Sequence, residues 1–454
     1  MVGRETFLMG CGAGFSGDRL DAPVSVVAEI ARSGRPGAIM FETLAERTLA
    51  LGQVARRADA NLGYEPLLAE LVGPVLADCV RHGIPIVGNF GAANPPAAAA
   101  LLKSLAAKAG LPDLRIAIVV GDDISAAVNL SDLEVSEGDA GLRGSTEEIV
   151  AANVYLGARQ IADALLQGAQ IVVTGRVADP ALALGPLVAH FGWDWEDWDR
   201  LAAGTLVGHL LECGSQVTGG YYADPGYKDV PRAEEIGFPI AEVEADGSFV
   251  VTKGLGTGGL VAVRTVTEQL LYEMHDPAAY LTPDVTLDVT GVVLEQVGSD
   301  RVRVTGARGK PAPHRLKATV SFPGDWLGEA EISYAGPNAM ARARLAAEVI
   351  GKRIDLRGLQ VRRRLDLIGA LSVFDSDQGK LAEEMGTLDE VRVRLAVSAS
   401  ERAPVDQSLQ EVLALLCCGP AAGGGMRSQV RNRIRTVSYL VPRNLVSPTV
   451  EFGA

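Results

Sequence analysis

The sequence predicts an α/β fold: a mostly parallel, doubly wound sheet over residues 1–284, joined to a second, α+β ferredoxin-like domain over 285–454. Three observations lead there. Short, continuous apolar runs recur from the N-terminus to Val173, and each ends in a polar, mostly glycine-bearing turn. Helix-length stretches separate those runs. After about residue 285 the period changes to strict alternation of polar and apolar side chains.

Taken in order, strands are expected near 5–9, 37–41, 84–88, 115–120 and 170–174. Runs such as Ala38-Ile-Met-Phe41 and Ile116-Ala-Ile-Val-Val120 are apolar throughout, as strands buried on both faces are. Helices are expected over 66–82, 95–109 and 145–167, which gives the repeated β-α order of a parallel sheet. The acidic stretch 130–145 reads as a loop over a crevice, and a further helix is expected near 197–213. Thr286-Leu-Asp-Val-Thr290 and Arg301-Val-Arg-Val-Thr305 flank a turn containing Gly298 and predict an antiparallel hairpin. A strand near 315–322, a helix near 337–353, strands near 359–366 and 390–399, a helix near 405–417 and a strand near 433–441 complete a β-α-β-β-α-β split motif.

Composition narrows the function. A chain of 454 residues that is 48% hydrophobic and 22% charged has material for two buried cores. A net charge of −14 argues against nucleic acid or an anionic membrane as partner, since both reward a basic face. Five cysteines without CxxC spacing argue against a disulfide framework or a zinc ribbon. With no signal-like N-terminus and no long apolar stretch, the expected location is cytoplasmic.

In open parallel sheets, ligands bind beyond the carboxyl ends of the strands, so the turns there are the candidate site. They carry Asp18, Glu42, Glu46, Asp122, Asp123 and Asp179. Clustered carboxylates repel one another unless they hold a proton, pair with arginine or recruit a cation such as Mg²⁺. Helix capping is the plainer account of Asp179, which precedes Pro180. Glu42, Asp122 and Asp123 are assigned acid–base duty. Arg19, Arg47 and Arg176 share the rim and suit an anionic small-molecule substrate. Asn89 and the amides of Gly12, Gly14 and Gly17 offer support to an oxyanion. Gly12-Ala-Gly-Phe-Ser-Gly17 also fits a dinucleotide fingerprint with Glu42 as ribose acid, but Asp18, Arg19, Asp21 and Pro23 place the helix start too late. His209, Glu212 and Cys213 at helical spacing form a possible metal face, and otherwise pack. Glu212 begins a flexible polar stretch suited to substrate contact, and Lys253 opens a glycine cluster able to meet a phosphate.

Several of these strings resemble the acyclic terpene utilisation A family: Gly10-Cys-Gly-Ala-Gly-Phe-Ser-Gly-Asp-Arg19, Phe41-Glu-Thr-Leu-Ala-Glu-Arg-Thr48, Gly91-Ala-Ala-Asn-Pro95, Val120-Gly-Asp-Asp123, Glu212-Cys-Gly-Ser-Gln-Val-Thr-Gly-Gly220, Gly237-Phe-Pro-Ile-Ala-Glu242 and Tyr280-Leu-Thr-Pro-Asp284. The resemblance implies a place in bacterial breakdown of citronellol- and geraniol-type terpenes, whose intermediates are branched acyl-CoA thioesters. The expected function is therefore a lyase or hydratase on an anionic acyl or acyl-CoA substrate. The alternatives are a non-catalytic acyl-CoA-binding or carboxylase-associated subunit and, third, a dinucleotide-dependent oxidoreductase. A small partner subunit and self-association as a homo-oligomer are also expected.

Overall fold

The computed structural model describes residues 6–126, 134–137, 148–369 and 388–452. The chain forms two compact units, Met1–Ser321 with Thr436–Ala454, and Phe322–Arg435. Among the described residues no helix is long and apolar enough to cross a membrane.

In the first unit the opening strands and helices alternate as β1 (Phe7–Ala13), α1 (Ala22–Ser33), β2 (Gly37–Phe41), α2 (Glu46–Ala58), α3 (Leu68–His82), β3 (Ile86–Gly88), α4 (Pro95–Lys108) and β4 (Ile116–Val120). β5 (Glu134–Glu137), β6 (Ala151–Val154), α5 (Arg159–Leu166) and β7 (Ile171–Thr174) follow. β1, β2, β3 and β7 are buried along their whole length, the consequence of continuous apolar runs. Asn94 accepts from the Ala97 amide and Pro95-Pro96 presets the first turn, which starts α4 where the sequence predicts it.

Two expectations are corrected here. The helix expected over 145–167 is a strand followed by a shorter helix: β6 pairs antiparallel with Ala318–Ser321, a partner far away in sequence. Of the loop expected over 130–145, Glu134–Glu137 is a strand, and the remainder lies outside the described residues.

Helices α6 (Ala181–Phe191) and α7 (Trp198–Leu211) come next, then β8 (Pro239–Val243), β9 (Phe249–Lys253), α8 (Val263–Leu271), β10 (Tyr280–Leu281), β11 (Thr286–Asp288), β12 (Val293–Gly298), β13 (Arg301–Thr305) and β14 (Arg308–Lys310). The large sheet runs β12-β13-β9-β8-β1-β2-β3-β7-β4-β19, where β19 is Thr449–Phe452. Among the described residues of this sheet, β1-β2-β3-β7-β4 pair in parallel, and the strand pairings outside that core are antiparallel. The sheet is thus mixed, where the alternating β-α pattern led us to expect a mostly parallel one. The hairpin expected between 286–290 and 301–305 forms only in its second strand: β13 pairs with β12 and extends this sheet within the first unit, while Thr286–Asp288 pairs with β10 and β14 in a separate three-stranded sheet.

The second unit draws on β15 (Arg315–Ala335), α9 (Ala339–Leu356), β16 (Arg362–Ile368), β17 (Glu390–Ala399), α10 (Arg402–Cys418) and β18 (Gly424–Pro442). Its strand order is β16-β17-β15-β18, with β17 antiparallel to both β15 and β16. Alternate residues of β17 (Val391, Val393, Leu395, Val397) are buried against α9 and α10, which also touch each other.

One close approach inside the first unit bears on the site. α6 and α7 pack side by side, and a methyl group at Gly208 would lie 2.5 Å from the Pro180 Cα and 2.6 Å from its carbonyl oxygen. The absent side chain lets α7 lie directly against the turn that carries Asp179. Gly208→Ala is therefore expected to cost about 1–3 kcal/mol, as overpacking against backbone does. A urea-unfolding midpoint equal to the parent's would show the contact to be compliant.

Candidate functional site

A cavity of about 670 Å³ opens in the first unit beyond the carboxyl ends of β1, β2 and β7. Its polar wall includes Glu42, Glu46, Tyr155, Arg176, Asp179, His209, Glu212 and Glu273. Leu281, Pro283, Pro313, Leu316 and Leu440 make an apolar wall, with Arg315 and Lys317 beside it.

Each polar group is held by a strand end. Glu42 follows β2 directly, and its amide donates to the Ala13 carbonyl at the end of β1 (2.9 Å). Its Oε1 accepts from the Leu44 amide (2.8 Å) and from Asn89 Nδ2 (2.9 Å), while Asn89 Oδ1 accepts from the Thr43 amide (2.8 Å). Both bonds fall on one oxygen, which leaves Oε2 for the cavity. Burial, with the nearby charge of Asp179, raises the Glu42 carboxyl to about 8 against the opposing pull of Arg176 and the two hydrogen bonds.

Arg176 follows β7 and is 1% exposed. Its Nε donates to the Val177 carbonyl (2.9 Å), one Nη to the Leu44 carbonyl, and the other to Val177 O (2.6 Å) and Asp179. Four of the five guanidinium N–H groups are thereby engaged. The guanidinium also lies 4.6 Å from the centre of the Tyr155 ring, and Tyr155 donates its hydroxyl to Glu46. Asp179 is pushed upward by burial despite Arg176. His209, on α7, sits between Glu212 and the Leu270 carbonyl, with Nδ1 3.1 Å from Glu212 Oε1 and Nε2 3.2 Å from Leu270 O. Burial works against its charge, yet Glu212 together with the backbone of Leu270 and Gln269 outweighs burial and raises the imidazole pKa, while burial raises the Glu212 carboxyl.

Of the residues singled out in the sequence, Gly14, Glu42, Glu46, Arg176, Asp179, His209, Glu212 and Cys213 line this cavity. The others have different work. Asn89 is fully buried behind Glu42. Asp122, raised by burial, accepts from the Arg176 amide (2.9 Å) and Asn153 (2.8 Å), so it anchors the β7 turn from behind. Asp123 is exposed and accepts from the Ser125 amide, closing a local turn. Asp18 accepts from the amides of Gly14 and Arg19, both at 2.8 Å, so the Gly14 amide that a phosphate would use is occupied from within the chain. Gly12 is part of β1, and Gly17 takes a left-handed φ of 98°. Arg19 is bound to Asp21 and the Ile236 carbonyl. Arg47 is exposed on α2. Lys253 lines a separate groove and is held by Thr257 O (3.0 Å) and Asp300 (3.2 Å). Acid–base duty for Asp122 and Asp123, and anion capture by Arg19 or Lys253, therefore have no support in this arrangement.

Sequence reasoning passed over Tyr155, Lys317 and Arg315, and read His209 as a metal ligand or packing residue. Both ring nitrogens of His209 already have protein partners. Among the described residues no group of three or more His, Cys, Asp or Glu side chains is arranged to hold a metal ion. Cys213, whose thiol is pushed upward by burial, is not a ready thiolate. The i, i+3 spacing of His209 and Glu212 was the usable signal for their pairing.

A family model described as acyclic terpene utilisation family protein AtuA matches residues 7–452, nearly the whole chain. The chain belongs to that family. No match is found among curated proteins or solved structures. Two of the strings that resemble the AtuA family meet at the cavity: a side chain at Gly14 would lie 2.4 Å from the backbone of Cys213 and Gly214. The first glycine-rich turn and the Glu212–Gly220 stretch are thus packed backbone to backbone.

Two outcomes are expected of this AtuA-family site. Arg176→Ala should lower stability by about 3–5 kcal/mol, because it strands a carboxylate and two carbonyls around a lost buried cation; an unfolding midpoint within a degree of the parent's would refute that. Glu42, raised from 4.5 to about 8, binds its proton more tightly folded than unfolded. Its contribution to stability is complete below pH 4.5 and is lost as pH climbs through about 8. Glu42→Gln, which cannot ionise, should gain relative to the parent over that range, measured as the difference in melting temperature at successive pH values.

Proposed function

We propose that the chain is an enzyme of acyclic terpenoid and branched acyl catabolism that adds or removes water, or cleaves a carbon–carbon bond, beside the carbonyl of an acyl substrate. The observation that supports this reading is Glu42: a buried carboxyl with one oxygen fixed by Leu44 and Asn89, the other left for the cavity, and a pKa raised into the working range of a general acid–base catalyst. Chemistry of this kind needs a group that takes a proton beside a carbonyl and returns it to a leaving group or a neighbouring carbon, without holding it so firmly that transfer stalls.

The polar wall carries five carboxylates, and its one buried cation is engaged with the protein itself. An anionic end of the substrate is therefore better placed near Arg315 and Lys317, whose ion pairs with Glu134 and Glu46 are solvent-exposed and weak enough to exchange for a substrate anion, than in the depths of the site. In this reading a neutral carbonyl, such as that of a thioester, enters the acidic part and the charged handle stays at the basic wall. For the fold we propose that the second unit is a ferredoxin-like module, supported by its β-α-β-β-α-β order and its β16-β17-β15-β18 arrangement. A doubly wound reading of the parallel core is supported by two separate packed rows of helices, α1-α3-α4 and α5-α6-α7.

The test is turnover of branched α,β-unsaturated acyl-CoA thioesters and of their hydrated forms, followed by absorbance of the conjugated thioester and by product analysis. The parent protein is expected to act on one of these classes, and Glu42→Gln to lose about 10²–10⁴-fold in turnover while still binding the substrate. Thermal stabilisation of the parent by the same thioesters, with neither hydration nor cleavage, would replace this reading with that of a binding subunit.

A further inference from the structure

Two details of the His209–Glu212 contact lead further than the rest of the cavity. The Leu270 carbonyl at 3.2 Å can only accept, so Nε2 of His209 carries a hydrogen. A hydrogen bond between Nδ1 and Glu212 Oε1, 3.1 Å apart, then requires one more proton, held either by the imidazole beside a carboxylate or by the carboxyl beside a neutral imidazole. The pair holds one shared proton in both forms and is neutral overall. The second detail is Glu212 Oε2, which is buried and has no hydrogen-bond partner among the described residues. A buried carboxylate oxygen left without a donor is destabilising, and Glu212 lines the cavity.

The surroundings do not satisfy that oxygen. Gln269 donates to the His209 carbonyl (3.2 Å), and the Tyr280 ring packs against the imidazole at 5.4 Å between ring centres. Asp179 and Glu273 add negative charge next to Glu212, as the thiol of Cys213 does not, and Arg176 is engaged with Asp179. The protein leaves that oxygen to a donor in the cavity, water or a bound ligand.

We infer that Glu212 is a second proton-transfer group of this cavity, exchanging a proton with the ligand through Oε2, and that His209 is its positioning residue. The inference rests on the acid–base reading of the cavity and adds a partner to Glu42. When the pair acts as base, the bond from hydrogen to carbon or oxygen in the ligand breaks, its electron pair stays on the ligand, and an O–H bond forms at Oε2. The pair then carries two protons and one positive charge, and the reverse step restores it. Leu270 fixes the imidazole tautomer, so the proton on Nε2 takes no part.

The experiment needs no turnover, so it stands or falls apart from the proposed reaction. The full chain, labelled with ¹⁵N-histidine, is titrated with and without n-octylamine, whose alkyl tail suits the apolar wall and whose ammonium supplies donors and positive charge at Oε2. The His209 signal is identified by its loss in His209→Gln or, should that variant not fold, by replacing His82, His190, His275 and His314 instead. Positive charge at Oε2 makes the shared proton easier to lose, so bound amine should lower the His209 midpoint by about one pH unit or more. Glu212→Gln, whose amide still reaches Nδ1, should abolish that shift and weaken amine binding about tenfold, while Glu42→Gln leaves the shift in place. A pair with only a structural role would give a midpoint indifferent to bound amine and equal amine affinity in Glu212→Gln. Either result overturns the inference, as does failure of the amine to bind.

Discussion

The site depends on a buried cation, Arg176, held by the protein's own carbonyls and a carboxylate. Arg176 lies at the end of β7, and its guanidinium reaches across β3 to the carbonyl of Leu44 beyond the end of β2. An unsatisfied ion in such a place costs several kcal/mol, so the surrounding backbone has to present its carbonyls correctly or the fold pays heavily. That demand fixes the loop after β2, which carries Glu42, and the turn after β7, which carries Asp179. Asp122 completes the clasp from β4 by binding the Arg176 amide. The geometry of the carboxylates is a by-product of satisfying the arginine, and for this reason an apparent substrate-binding residue turns out to be part of the framework.

With its cation committed, the cavity has more acid than base. Buried carboxylates crowded together are pushed toward their protonated forms, and Glu42, Asp179 and Glu212 are all shifted upward with burial as the leading cause. This distinguishes the site from an anion-binding crevice of the kind seen where strand-end amides point at a phosphate. The nearest equivalent here, the turn after β1, is closed by Asp18.

The sequence made the strand ends legible because period and turn chemistry are local. Glu42, Arg176 and Asp179 were found for that reason. What period cannot convey is which way a side chain turns and what meets it. Asp122 and Asp123 are adjacent, yet one faces the Arg176 amide and the other its own turn. Lys253 looked like a phosphate ligand until Asp300, brought back by the β12–β13 hairpin, was seen to hold it. The same limit explains the fold errors: Ala151–Val154 becomes a strand because 318–321 is available to pair with it, and β8 joins β1 antiparallel through a partner no local pattern announces. His209 belongs here too, since its second partner, Leu270, comes from α8.

β19 lies antiparallel along β4, and its approach is sealed where Gly121 meets Pro448. Without it, Ile116-Ala-Ile-Val-Val120 would be the border of the parallel core: five apolar residues with a free row of amides and carbonyls, which is a template for another chain. β19 lines no part of the cavity, yet it replaces the wholly apolar border of the parallel core with a strand whose residues alternate between half-buried and exposed. A lesion there would appear as loss of soluble material, with the chemistry of whatever remained in solution intact.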